Sequence, residues 1–135
     1  MPGRLISGVR ELLLVDLAER VERAASALAS IGVGRGDAVA LMLRNDFSFY
    51  EGSGAAGALG AYPVPVNWHF TIEEAGYIIA DSGAKAVIVH ADLYPIAAKA
   101  APPNVPVFVV ETPPEIAHAY QIDAAHCALP NGAKS

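Results

Sequence analysis

A single cysteine, Cys127, excludes an internal disulfide and leaves no second thiolate for a cysteine metal site. A reducing, cytoplasmic setting is therefore expected. Basic residues are also scarce, with 9 Lys and Arg against 14 Asp and Glu and a formal net charge of −5. That balance offers no cationic field to draw nucleic acid or an anionic membrane. No charged residue occurs from Gly52 to Ile72, but Pro63, Pro65, Asn67 and His69 interrupt the stretch, which excludes a transmembrane segment and points to buried core. Near the N-terminus, Arg10 and Glu11 precede an apolar run, Leu12 to Val15, that is too short for the hydrophobic part of an export signal. No G-x-S-x-G elbow is present to expose a hydrolase nucleophile.

What is abundant is apolar: 53% of the 135 residues are hydrophobic and 17% charged, enough for one domain's core with apolar surface to spare. From Asp16, the positions Leu17, Val21, Ala24, Ala25, Leu28 and Ile31 recur at helical spacing, with Glu19, Arg20, Glu22 and Arg23 opposite. Asp16 and Glu19 have the form of a capping box, and Gly32 is placed to end the helix. Ala38 to Leu43 is a short continuous apolar run, the pattern of a strand covered on both faces. Asn45 or Asp46 is placed to cap a second helix through about Leu59, although Gly52, Gly54 and Gly57 each cost about 1 kcal/mol there relative to alanine. Tyr62 to Val66 is a strand whose Pro63 and Pro65 confine it to an edge or an irregular position.

Thr71 and Glu74 form a second capping box ahead of Ile72, Ala75, Ile78 and Ile79, and Ser82-Gly83 stops that helix. Ala86 to His90 is a strand, Asp92 is placed to cap a short helix through Ala100, and Val105 to Val110 is a last strand. Thr112 to Glu115 opens one more helical turn. The alternation predicts an α/β fold, a mainly parallel sheet of about four strands flanked by helices. In such sheets function gathers at the carboxyl ends of the strands. Residues 1–120 read as this α/β segment and 121–135 as an irregular tail or the start of a linker.

Several patterns invite chemistry and have plainer explanations. Gly52 to Gly57 matches G-x-G-x-x-G, but a dinucleotide site needs its glycines directly after a strand, and Asn45 to Glu51 intervene as helix. Close packing of small residues accounts for the glycines. His69, His90, His118 and His126 include no pair at i and i+4 on a helix, so each reads as structural or solvated. His118, His126 and Cys127 sit in irregular sequence, and Cys127 has no positioned base to make it a nucleophile. Glu73, Glu74 and Asp81 belong to a capped helix, where solvation and the helix dipole explain them. The expectation is thus no catalytic residue and no metal site. Asn67-Trp68-His69-Phe70 stands apart, because it puts the only tryptophan and an imidazole in a loop after a strand. Trp68 there either lines an apolar substrate channel or closes the core.

Taken in order, RVERAASALASIGVGRGDAVALMLRNDFSFYE and LGAYPVPVNWHFTIEEAGYIIADSGAKAVIVHADL resemble the opening region of the AMP-forming acyl-CoA synthetases, in the adenylate-forming superfamily. The likeness runs from Asp16 to about Leu93. It implies part of a large N-terminal domain in enzymes that join a carboxylic acid to AMP and then to CoA, with ATP, Mg and CoA as the cofactors of the full-length enzyme and none bound by this chain. Asn67-Trp68-His69 is similar to the family's Asn-Trp-Arg or Asn-Trp-His step, which implies a fatty or related acyl substrate and places these three residues near its pocket. The family's phosphate loop ending in Pro-Lys-Gly, its aromatic-Gly-x-Thr-Glu motif, its ribose-binding Asp, its hinge and its C-terminal catalytic Lys have no counterpart here, so no catalytic residue is carried over. Glu51 to Leu59 also departs, with glycines where the family usually has larger residues. The expectation is the first part of a synthetase, a truncated product or fragment, not catalytic alone, whose partner is the remainder of the enzyme or a second copy across an exposed sheet edge. The alternatives are a free-standing interaction module and, more weakly, a small nucleotide-binding protein.

Overall fold

A computed structural model describes residues 4–7, 10–44 and 46–129. An antiparallel hairpin of β1 (Arg4–Ser7) and β2 (Arg10–Leu13) leads into helix α1 (Leu14–Ser30). β3 (Ala38–Met42), α2 (Phe47–Ala58), β4 (Tyr62–Pro65), α3 (Ile72–Asp81), β5 (Ala84–His90), α4 (Tyr94–Ala100), β6 (Val107–Val110) and α5 (Pro114–Ala119) follow. The hairpin is not foreseen by the sequence pattern, in which Leu12 to Val15 is only a short apolar run.

β3 to β6 form one sheet in the order β4-β3-β5-β6, and all three pairings are parallel. The fold expected from the alternating pattern is therefore the one found. β3 is buried at every position, as its unbroken apolar run requires of a strand with helices on both faces. Val39 and Leu41 point with Ala86 and Ile88 to one face, where Ala25 and Leu28 of α1 and Ala55 and Ala56 of α2 cover them. Ala40 and Met42 point with Val87, Val89 and Val109 to the other, under Ala75 and Ile79 of α3 and Ala97 of α4.

β4 is an edge strand, and its prolines explain how it joins the sheet. Tyr62 N–H donates to Asp37 O at 2.7 Å and Val66 N–H to Leu41 O at 2.8 Å, so the inward donors are the residues alternating with Pro63 and Pro65. The missing proline donors fall on the open side. Thr71 caps α3 as expected, its Oγ1 accepting from Glu74 N–H while Glu74 Oε1 accepts from Thr71 N–H. Gly32 (φ 93°) and Gly83 (φ 68°) take the left-handed backbone that ends α1 and α3.

Two expected caps are corrected. α1 begins at Leu14, so Asp16 lies inside the first turn, where its charge suits the helix dipole but cannot cap. Asp92 does not cap α4 either: it sits in a 3-10 turn, Ala91–Leu93, and Leu93 holds the cap position. Asp46 does occupy the N-cap position of α2, though its carboxylate makes no cap hydrogen bond, and Asn45 lies outside the described residues.

Candidate functional site

The chain runs from β3 outward to β4 on one side and then crosses to β5 on the other, so the strand order reverses between β3 and β5. Open α/β sheets leave a crevice there, at the carboxyl ends, where ligands commonly bind. In this protein the chain's own polar side chains meet there. Arg44, two residues past β3, donates from Nη1 and Nη2 to Asp92 Oδ1 and Oδ2, both at 2.8 Å. Thr112, just past β6, donates its hydroxyl to Asp92 Oδ1 at 2.6 Å and accepts from Asp92 N–H at 3.2 Å. Arg44 N–H donates to Nδ1 of the fully buried His90, the last residue of β5, at 3.1 Å. With Nδ1 accepting, the ring hydrogen sits on Nε2, which faces Asp46 Oδ2 at 3.4 Å.

Burial would push the Asp92 carboxyl up, but hydrogen bonds from Arg44 and Thr112, with the charge of Arg44, hold it below the ordinary carboxylate range. The Arg44 and Asp92 side chains are only 5% and 7% exposed. A pair desolvated to that degree persists only when its remaining bonding capacity is largely met.

Above this cluster stands the loop singled out in the sequence. Arg44 Cζ lies 4.6 Å from the Trp68 ring centroid and 4.9 Å from that of Tyr120, and the two rings meet edge to face at 4.9 Å. Trp68 also stacks on His69, centroid to centroid 3.6 Å, and packs partly buried against the α3/α4 core. Asn67 Oδ1 accepts from His69 N–H at 2.9 Å, an Asx turn that shapes the loop. Asn67 and His69 themselves are exposed. Tyr120 is the C-cap residue of α5, and after it Gln121 (φ 55°) turns the chain away. Beyond it, Cys127 O accepts from Thr112 N–H at 3.0 Å.

Sequence reasoning brought Asn67, Trp68 and His69 forward and missed Arg44, Asp46, Asp92, Thr112 and Tyr120. The signal that would have found three of these was their position: Arg44, Asp92 and Thr112 are polar residues standing one or two places past apolar strands. His90 is fully buried within this cluster. His69, His118 and His126 are exposed, and no cluster of metal-binding side chains occurs among the described residues. Burial and the charges of Asp92 and Asp123 push the Cys127 thiol up.

Gly52, Gly54 and Gly57 lie inside α2, past its first turn, so their amides belong to the helix and not to a phosphate. A Cβ on Gly52 would come within 3.0 Å of Leu41, and one on Gly54 within 3.0 Å of Val21, so close packing explains both. Beside them an open groove of about 270 Å³ is lined by the buried Leu28 and Ile88 and the half-buried Phe108 and Val110, with Arg20 and Glu51 also lining it. None of Asn67, Trp68 and His69 lines it. No helix among the described residues is long and apolar enough to cross a membrane.

The comparisons agree with this architecture. The family model described as AMP-binding enzyme matches residues 6–130. The long-chain-fatty-acid–CoA ligase FadD13 of Mycobacterium tuberculosis is 39% identical over 86 residues, 61% of this chain and 17% of that ligase. Among solved structures, a benzoate CoA ligase from Burkholderia xenovorans LB400 aligns at a TM-score of 0.73 and 25% identity, over 78% of this chain and 22% of its own. The N-terminal domain of FACL13 from Mycobacterium tuberculosis aligns at 0.66 and 28% identity, over 90% of this chain and 31% of its own. The 135 residues thus span under a third of each relative, and the family match covers nearly their whole length: the chain belongs to the AMP-binding enzyme family.

Proposed function

We propose that this chain supplies the opening α/β portion of an AMP-forming acyl-CoA synthetase, and that it performs no adenylation alone. The observation that carries the reading is the 39% identity to a long-chain-fatty-acid–CoA ligase over 61% of the chain. In this reading the cytoplasmic whole enzyme converts a fatty or related acid to acyl-AMP and then to acyl-CoA, using ATP, Mg and CoA. Transferring an adenylyl group calls for donors and a metal around a triphosphate. The polar groups at the carboxyl ends of these strands are instead engaged with one another, which favours a supporting role for this part.

Asn67, Trp68 and His69 belong, in the same reading, near the acyl pocket. An aromatic ring set at the mouth of a sheet by a short turn is a means of selecting chain length by shape. The test uses a synthetase in which these residues replace the matching stretch of the Mycobacterium tuberculosis relative. Trp68→Ala there should alter the ratio of kcat/KM between long and short acids, and an unchanged ratio rejects the pocket role. The isolated chain, given ATP, Mg and a panel of carboxylic acids, should release no pyrophosphate. Turnover by it would overturn the supporting role.

A further reading, an interaction module, draws on β6. This strand ends the sheet among the described residues, and its Phe108 and Val110 lie half-buried beside the apolar groove. Association of the chain with itself in sedimentation experiments at rising concentration would favour that reading.

A further inference from the structure

Trp68 stacks on His69 within its own loop and packs partly buried against the α3/α4 core, but the loop itself offers little to fix its position. The turn at Asn67 is exposed, β4 is a proline-bearing edge strand, and the capping box that follows belongs to α3. What stands beneath the indole is the Arg44 guanidinium, and that group is fixed from three strands. Arg44 follows β3, its partner Asp92 follows β5, and Thr112, which bonds Asp92, follows β6. The fork leaves the guanidinium plane no freedom to rotate, because both terminal nitrogens are committed to one carboxylate. Its Nε–H is buried without an acceptor among the described residues. A cation held rigidly in a corner of two rings orients both.

We infer that Arg44 is the positioning residue of the Asn67–Phe70 loop: anchored by Asp92 and Thr112 at the strand ends, its guanidinium sets where the Trp68 indole and the Tyr120 ring stand. The consequence for acyl preference rests on the pocket role proposed above, and the positioning itself does not. Lysine at 44 keeps the charge but loses the fork and the plane, so it separates position from neutralisation. Methionine at 44 with leucine at 92 removes both charges and leaves neither uncompensated. Val39→Ala, in the fully buried centre of β3, is the control that loosens the sheet without touching the rings.

Because Trp68 is the only tryptophan, its emission and its quenching by acrylamide report this loop alone in the unaltered 135-residue chain and its variants. Arg44→Lys, which loses the fork, and the Arg44→Met/Asp92→Leu pair, which loses the cation, should each raise the quenching constant and shift emission to the red. Val39→Ala should leave both signals in place at temperatures below its unfolding. Folded variants whose Trp68 signals match the parent overturn the inference and leave Arg44 a stabilising charge. Should the variants fail to fold, the unaltered chain still decides by NMR: ring-current shifts of the Arg44 side-chain protons toward high field support it, and ordinary shifts reject it. The two ideas fail separately. Altered Trp68 signals with unchanged acyl preference in the chimeric synthetase sink the pocket role alone, and the reverse pattern sinks the clamp alone.

Discussion

Arg44 and Asp92, 48 positions apart in the chain, meet through two parallel 2.8 Å hydrogen bonds where β3 and β5 end. The pair closes the reversal point of the sheet. Removing one partner strands the other in a site that is almost dry, so Asp92→Leu alone should cost about 3–5 kcal/mol in urea unfolding, while Arg44→Met/Asp92→Leu together should cost far less. A double variant as unstable as the single would mean that the pair itself, and not the stranded charge, holds the sheet ends.

The dependence of stability on pH should carry two opposed contributions. Asp92 has its folded pKa depressed, so its stabilisation is present above the unfolded value and is lost as pH falls through the folded one, below the usual carboxylate range. Glu51 is the opposite case: burial raises its pKa against the pull of Arg20, with Asp46 adding to the rise. Its contribution is present below the unfolded value and is lost as pH rises through the raised one. Urea midpoints measured from pH 3 to pH 7 should therefore decline less toward neutrality in Glu51→Gln than in the parent. Parallel curves for the two proteins would contradict the assignment.

The three glycines of α2 should separate by site. Gly57 has open space where a methyl group would stand, with nothing within 4 Å, so Gly57→Ala should stabilise by up to about 1 kcal/mol through helix propensity alone. Gly52 faces Leu41 at 3.0 Å and Ile88 at 3.3 Å, and Gly52→Val should cost about 1–3 kcal/mol by overpacking. Thermal midpoints of the two variants are expected to move in opposite directions.

Two loop ends should respond in opposite ways as well. Thr71→Ala removes the Oγ1 that accepts from Glu74 N–H, leaving the backbone bond to Glu74 Oε1, and should cost about 1 kcal/mol. Gln121 holds a left-handed backbone just after α5, with Ile122 N–H donating to Ala117 O at 2.8 Å, so Gln121→Gly should gain about 1 kcal/mol. Chemical denaturation of each variant reads both.

Most of the sheet and its helices were legible because their signals are local. The unbroken run Ala38 to Leu43, the reciprocal Thr71 and Glu74, and the paired prolines of β4 each report on neighbours within a few residues. Asp16 and Asp92 misled for the same reason, since an acid placed before a helical stretch looks like a cap whether or not a distant partner claims it. Arg20 claims Glu51 from another helix in the same fashion.

Periodicity, caps and glycines by themselves determined that this chain is a parallel sheet between helices, since those features act over one turn or one strand and need no long-range partner. Trp68 could likewise be seen to sit in a loop after β4. Which residues lie beneath it was decided only when β3, β5 and β6 came side by side. Pairing of strands distant in sequence brings Arg44, His90, Asp92 and Thr112 together, and a charge buried there must find a partner that no local pattern names.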